Sequence, residues 1–178
     1  VQCARALSPL VDAFAVAITE EAVALRDAGI DLPILVLQGP HSLEDAQIMS
    51  SAALWPAISS EHQIDWLEQT GPQFEQVWLK CDTGMHRLGF MPDEITSARS
   101  RLTALSVSEI VLMSHFADAE APDSALTERQ LLRWGQLSDA APAGSFSNSA
   151  ATTGKIAPNE SWVRLGYSLY GGSLVTVP

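Results

Sequence analysis

The chain has 178 residues, 47% of them hydrophobic and 17% charged, with a formal net charge of −11. Ten Lys and Arg stand against twenty-one Asp and Glu, and no basic run interrupts them. This excludes the clustered cationic footprint that nucleic acid requires. No apolar run approaches the roughly 20 residues of a membrane span. The two cysteines, Cys3 and Cys81, set up neither a disulfide framework nor a zinc site. A reducing, cytoplasmic setting is expected.

The chain is long enough for one sizeable core, so one domain over residues 1–178 is the expectation. Its start, Val1-Gln2-Cys3-Ala4-Arg5, has no initiator Met and no signal-peptide architecture. With the end at Val177-Pro178, this leads us to expect a piece of a longer protein, a processed start being the alternative.

Short apolar runs recur along the chain at Ala13–Ile18, Pro33–Leu37, Leu54–Ile58, Val77–Cys81, Glu109–Ser114, Ser145–Ser147 and Val163–Leu169. Each reads as a strand. After the first run, Ile18, Ala22, Leu25 and Ala28 share one helical face, with Thr19 as N-cap, Glu20 and Glu21 in the first turn and Gly29 at the stop. Ser60 and Gln63 make a capping-box spacing before Ile64 and Leu67. Pro92, followed by Asp93 and Glu94, opens another helix. Thr127 and Gln130 repeat the capping-box spacing before Leu131 and Trp134. A short helix is expected over residues 150–153.

Strands alternating with helices at this spacing predict βαβ units and a parallel sheet. Ile34-Leu35-Val36-Leu37 and Ile110-Val111-Leu112-Met113 are apolar throughout, as when both sheet faces are covered. A (β/α)8 barrel takes about 250 residues. Seven strand candidates therefore fit an incomplete (β/α)8 TIM-like barrel lacking its first strand. An open doubly wound sheet competes, but no G-x-G-x-x-G follows the first run.

Barrels of this kind carry chemistry at the C-terminal ends of their strands. Lys80 and Asp82 lie two apart at one such end, and Arg87 follows a turn at Thr83-Gly84-Met85. His115 ends the next strand, Asn148-Ser149 the one after, and Arg164 and Gly166-Tyr167 fall in the last. Taken singly, each has a plain reading: a simple ion pair for Lys80 and Asp82, a structural His115, a helix cap at Asn148-Ser149, a surface Arg164. Their recurrence at one end of several strands points to a site. Loops after the last two barrel strands, at a short helix N-terminus, commonly take phosphate. Ser149, Gly166 and Tyr167 fall there, which implies a phosphorylated ligand.

Lys80-Cys81-Asp82-Thr83-Gly84-Met85-His86-Arg87-Leu88-Gly89-Phe90 resembles the K-x-D-T-G-M-x-R-L-G-F segment of the alanine racemase family. Asp12–Ala17 with Glu20–Ala22, Ser114–Ala117, Asn148–Ala151 and Trp162–Gly171 agree in order, so the resemblance covers essentially the whole chain. The family is homodimeric and depends on pyridoxal phosphate, with a barrel and a C-terminal β domain that this chain lacks. It interconverts L- and D-alanine, a peptidoglycan precursor, by two-base proton transfer.

The resemblance implies roles at matching positions. Arg87 would hold the substrate carboxylate. Lys80, carbamylated in many members, would orient Arg87. Ser149, Gly166 and Tyr167 would bind the cofactor phosphate, with Asn148 supporting the loop. Arg164 would meet the pyridine nitrogen, and His115 would contact the ring's phenolic side or back Arg164. Leu165 stands where the family commonly has proline. The family's cofactor-bonded lysine follows the first strand, and its opposing tyrosine base lies in the C-terminal domain. The resemblance thus implies that both bases are absent and that this chain alone is inactive. The alternative is a non-catalytic pyridoxal-phosphate carrier barrel, which lacks the D-T-G-M-x-R-L-G segment in this form.

Overall fold

The computed structural model describes residues 1–71, 74–105, 107–121, 123–138, 143–154, 156, 158 and 160–172. Its strands are β1 (Phe14–Val16), β2 (Ile34–Val36), β3 (Trp55–Ile58), β4 (Gln76–Lys80), β5 (Glu109–Met113) and β6 (Gly144–Ser145). The helices are α1 (Gln2–Leu7), α2 (Thr19–Asp27), α3 (Leu43–Ser51), α4 (Glu61–Thr70), α5 (Ile95–Ala104), α6 (Ala125–Ser138) and α7 (Ser149–Gly154). The sheet follows chain order from β1 to β6, and its registered pairs are parallel, with Leu35 opposite Trp55 and Ala57 opposite Trp78. Six of the seven expected strands are present, each within a residue or two of its apolar run. Among the described residues, no helix is long and apolar enough to cross a membrane.

Residue contacts group the chain into two units, Val1–Leu79 with Thr96–Ile110, and Lys80–Ile95 with Val111–Pro178. In the first, β2, β3 and all of β4 short of Lys80 are buried residue for residue, which is why alternation is missing from their sequence. Ile34, Ile58, Ile64, Leu67 and Leu79 are fully covered, each worth about 1.5–3 kcal/mol of burial. Arg26, on α2, laces this unit's loops: Nη1 donates to the Ile30 and Leu32 carbonyls at 2.7 Å each, and Nε to Ala52 at 3.1 Å. In the second unit, Phe116 stacks on Phe146 with centroids 3.7 Å apart, and Trp134 lies 5.0 Å from Phe146.

Several local expectations are corrected. Thr19 is the first residue of α2, not its cap. Ile18 takes the cap position, and the Glu21 carboxylate accepts from the Ala17 N–H at 2.8 Å. At α4, Ser60 caps with its backbone only. Gln63 instead accepts from the Ser59 N–H at 2.7 Å and donates to the Gln38 carbonyl at 2.7 Å. At α6, Ser124 is the capping side chain, accepting from the Thr127 N–H at 3.1 Å. Pro92 opens a turn whose Glu94 accepts from Met91 N–H at 2.7 Å, and α5 starts only at Ile95.

The seventh run, Val163–Leu169, does not form a strand. Trp162 makes an isolated parallel bridge to Ser145, and Arg164 N–H donates to the Ser147 carbonyl at 3.0 Å. The pairing then stops, because Gly166 bends away and residues Tyr167–Tyr170 form a 3₁₀ turn. Val163, Leu165 and Leu169 are about half exposed, so this segment lacks the second covered face that made the other apolar runs strands.

Candidate active site at the strand ends

The site is built within the second unit, and its first part is the loop that leaves β4. Asp82 is 8% exposed and organises the turn. One carboxylate oxygen accepts from the Gly84 N–H at 2.8 Å and the His86 N–H at 3.0 Å, and the other faces His86 Nδ1 at 3.0 Å. Burial alone would raise the Asp82 carboxyl, but these donors hold it below the ordinary carboxylate range. They also hold His86 in the left-handed region at φ 56, a conformation that costs a non-glycine residue about 1 kcal/mol or more. The loop closes where Phe90 bridges Cys81, with Phe90 N–H donating to Lys80 at 2.9 Å and Asp82 N–H to Phe90 at 2.8 Å. Gly89 is required at the closure. Its φ is +124, and a Cβ there would come within 2.8 Å of the Asp82 nitrogen.

Lys80 is 6% exposed, and its side-chain ammonium has no hydrogen-bond partner among the described residues. The plain reading of Lys80 and Asp82 as a simple ion pair does not hold, since Asp82 is taken up by its own turn. Burial first, then Arg87 and Arg164, bring the Lys80 amine down to about 8. Arg87 is exposed and likewise has no hydrogen-bond or ion-pair partner among the described residues. Both line a small pocket with Asp82, Met85, Ser114 and His115. A chain of net charge −11 therefore concentrates cations at one point, which focuses a local positive potential.

Arg164 lies beneath these groups. Its guanidinium donates to Ser145 Oγ and to the Ser114 carbonyl, and Nη2 is 3.2 Å from His115 Nδ1. Burial lowers Arg164 to about 10, with Glu160 opposing, so it stays protonated at neutral pH. His115 is lowered to about 4, by burial first and then by Arg164, Arg87 and Lys80. It is therefore neutral, and its Nδ1 is available to accept from Arg164.

The second part of the site surrounds the start of α7. Asn148 Oδ1 accepts from the Ala151 N–H at 3.0 Å, so Asn148 is a helix N-cap. Ser149 Oγ accepts from the Gly166 and Ser168 amides at 3.0 and 3.2 Å, and Ser168 Oγ is 3.2 Å from it. Two amides and two hydroxyls thus converge on one point. Tyr167 between them is 56% exposed. Ser147 Oγ, just before the cap, is buried with no partner.

Three residues of this arrangement escape a reading of the sequence. Ser168 sat inside an expected strand. Glu160 accepts the Phe146 and Ser147 amides at 2.6 and 2.9 Å, and nothing local marks it. Gln130 reads as half of a capping box, yet its carboxamide reaches Thr83, His115 and Ala117. An acid or amide on a helix or loop flanking strand ends is the one available signal. Cys81 behaves as expected of a core residue, buried and with its thiol pushed up to about 12, far from the reactive thiolate range.

A parallel β/α chain with cations and amide donors gathered near its strand ends belongs to the barrel class of α/β proteins. The family model for the alanine racemase N-terminal domain matches residues 1–174. The alanine racemase of Pseudomonas entomophila (strain L48) is 42% identical over 180 residues, covering 97% of this chain and 49% of that protein. The alanine racemase of Alteromonas mediterranea is 38% identical over 178 residues, 99% of this chain and 50% of that protein. The crystal structure of the biosynthetic alanine racemase from Pseudomonas aeruginosa superposes with a TM-score of 0.88 at 34% identity, covering 97% of this chain and 49% of that one. The chain belongs to the alanine racemase N-terminal domain family, and its fold is the expected incomplete (β/α)8 barrel. It spans about half the length of the curated relatives it matches.

Proposed function

We propose that this chain is the greater part of the barrel of a pyridoxal-phosphate-dependent, homodimeric alanine racemase. The residues fit that cofactor. The Gly166 and Ser168 amides and the Ser168 hydroxyl, which here donate to Ser149 Oγ, would turn with the Ser149 hydroxyl to a phosphate. Ser147 Oγ, buried and unpartnered, adds a polar atom nearby in sequence. When bound, pyridoxal phosphate supplies the electron sink that acidifies the substrate Cα–H.

The protein's own groups do the rest. Arg87 binds the substrate carboxylate through its planar fork of donors. Lys80 sits behind it, and conversion of its amine to a carbamate would turn a repelling cation into an anionic partner. Arg164 can only donate hydrogen bonds. It would therefore hold the cofactor's pyridine nitrogen as a donor and leave it without a proton, which would restrain delocalisation and disfavour side reactions. Neutral His115 keeps Arg164 in place, while Asn148 and Ser149 fix the phosphate loop with Gly166 and Tyr167. The two bases that remove and return the proton belong to segments outside this chain.

The observation that carries the reading is the exposed, unpaired Arg87 guanidinium beside Lys80 and His115 in one pocket. The full-length protein with pyridoxal phosphate is expected to convert L-alanine to D-alanine in a chiral assay, and this chain alone is not. No turnover of any small amino acid by the full-length protein would overturn the racemase reading. D-Alanine formed by the chain alone would overturn the assignment of the bases.

A further inference from the structure

Gln130 lies on α6 and is fully buried. Its Oε1 accepts from the Ala117 N–H at 2.9 Å, and its Nε2 donates to the His115 carbonyl at 2.9 Å and to Thr83 Oγ1 at 3.0 Å. Thr83 Oγ1 is 2.8 Å from Ser114 Oγ, and Ser114 Oγ donates to the Cys81 carbonyl at 2.9 Å. The direction of this chain is forced. A carbonyl only accepts, so the single Ser114 proton goes to Cys81. Thr83 must then donate to Ser114, and its lone pair receives Gln130. Every member is satisfied, and Gln130 and Thr83 and Ser114 are all at most 1% exposed. One turn further along α6, Arg133 Nη1 donates to the Thr83 carbonyl at 3.0 Å.

We infer that Gln130 and Thr83 are positioning residues: through this one-way hydrogen-bond chain, α6 fixes the loop carrying Arg87 against the strand end carrying His115. Neither side chain lines the pocket, so they act through Arg87. The inference rests on Arg87 as the carboxylate-binding group. A fully satisfied buried network specifies one geometry, whereas a broken one leaves groups unpaired that rearrange to find partners.

The test uses the full-length protein. Thr83→Val keeps the shape and removes the relay, and Thr83→Ser keeps the hydroxyl. Thr83→Val and Gln130→Met are expected to raise KM for L-alanine about tenfold or more with kcat within about threefold, the signature of lost carboxylate binding. Thr83→Ser returns KM to within about twofold. Propionate, a carboxylate without an amine, reads the same geometry without turnover, and its Kd by calorimetry should follow the KM series. An unchanged KM in Thr83→Val, or failure of Thr83→Ser to restore it, overturns the inference. If the parent turns over no alanine, the racemase reading fails alone and the propionate series decides. A parent that neither turns over alanine nor binds propionate overturns both.

Discussion

In the first unit charge stays at the surface. Arg101 on α5 meets Asp65 at 2.7 Å and Glu68 at 2.8 Å, and also Glu61, all on α4, with the three carboxylates 41–54% exposed. In the second unit charge goes inside. Of the twelve buried polar or charged residues among those described, nine lie there, Lys80 and Asp82 among them. A surface cluster stays solvated and contributes little. A buried cation is costly unless paired or put to use. The buried Lys80 ammonium therefore sets the second unit, where the site is proposed, apart from the first.

That contrast can be broken most directly at Arg87. Arg87→Ala should lower kcat/KM for L-alanine by about 10²–10⁴ in the full-length protein, with Arg87→Lys recovering only part because it loses the bidentate fork. An unchanged kcat/KM would remove the carboxylate role. Arg164→Glu should come next, raising pyruvate formed by transamination relative to D-alanine, since a carboxyl can share a proton with the ring nitrogen. Unchanged partitioning would count against the electronic role.

A smaller effect is expected from pH. His115 has a folded pKa of about 4 against about 6.5 unfolded. Between these values the unfolded state binds the extra proton, so stability rises with pH there. It is full above about 6.5 and is lost as pH falls toward 4, by on the order of 2 kcal/mol after allowance for partial exposure. Urea melts of His115→Asn across this window should be flatter than those of the parent. The smallest effect belongs to the first unit: Arg101→Ala should lower Tm by no more than about 3 °C, and less at high salt. A large, salt-independent drop would blur the distinction between the units.

The strands were legible because their runs are covered on both faces, and a two-sided apolar surface leaves a continuous hydrophobic string in sequence. Val163–Leu169 carries a similar string but meets solvent, so composition alone misread it. Position alone was enough to put Lys80 at the end of β4 and His115 just past β5, whereas Arg164 belongs to the run that forms no strand and reaches its place through side-chain hydrogen bonds. The caps were not legible. Ser60, Gln63, Thr127 and Gln130 have the right spacing, but the backbone chose Ser59 and Ser124 as partners, and Gln130 found better acceptors across the unit. Such bonds join residues 15 to 47 positions apart, beyond the reach of any local pattern.

The closure of the Asp82–Gly89 loop on the strand it leaves has a thermodynamic consequence. Its ends are joined by backbone hydrogen bonds between Phe90 and both Lys80 and Asp82, and its interior is held by one carboxylate. The disorder such a loop would otherwise give up on binding is already gone when the protein folds. A small ligand, with few atoms to offer, then meets a guanidinium whose backbone needs no further ordering. For the proposed substrate, alanine, which offers few contacts, that saving counts for more than it would for a large ligand.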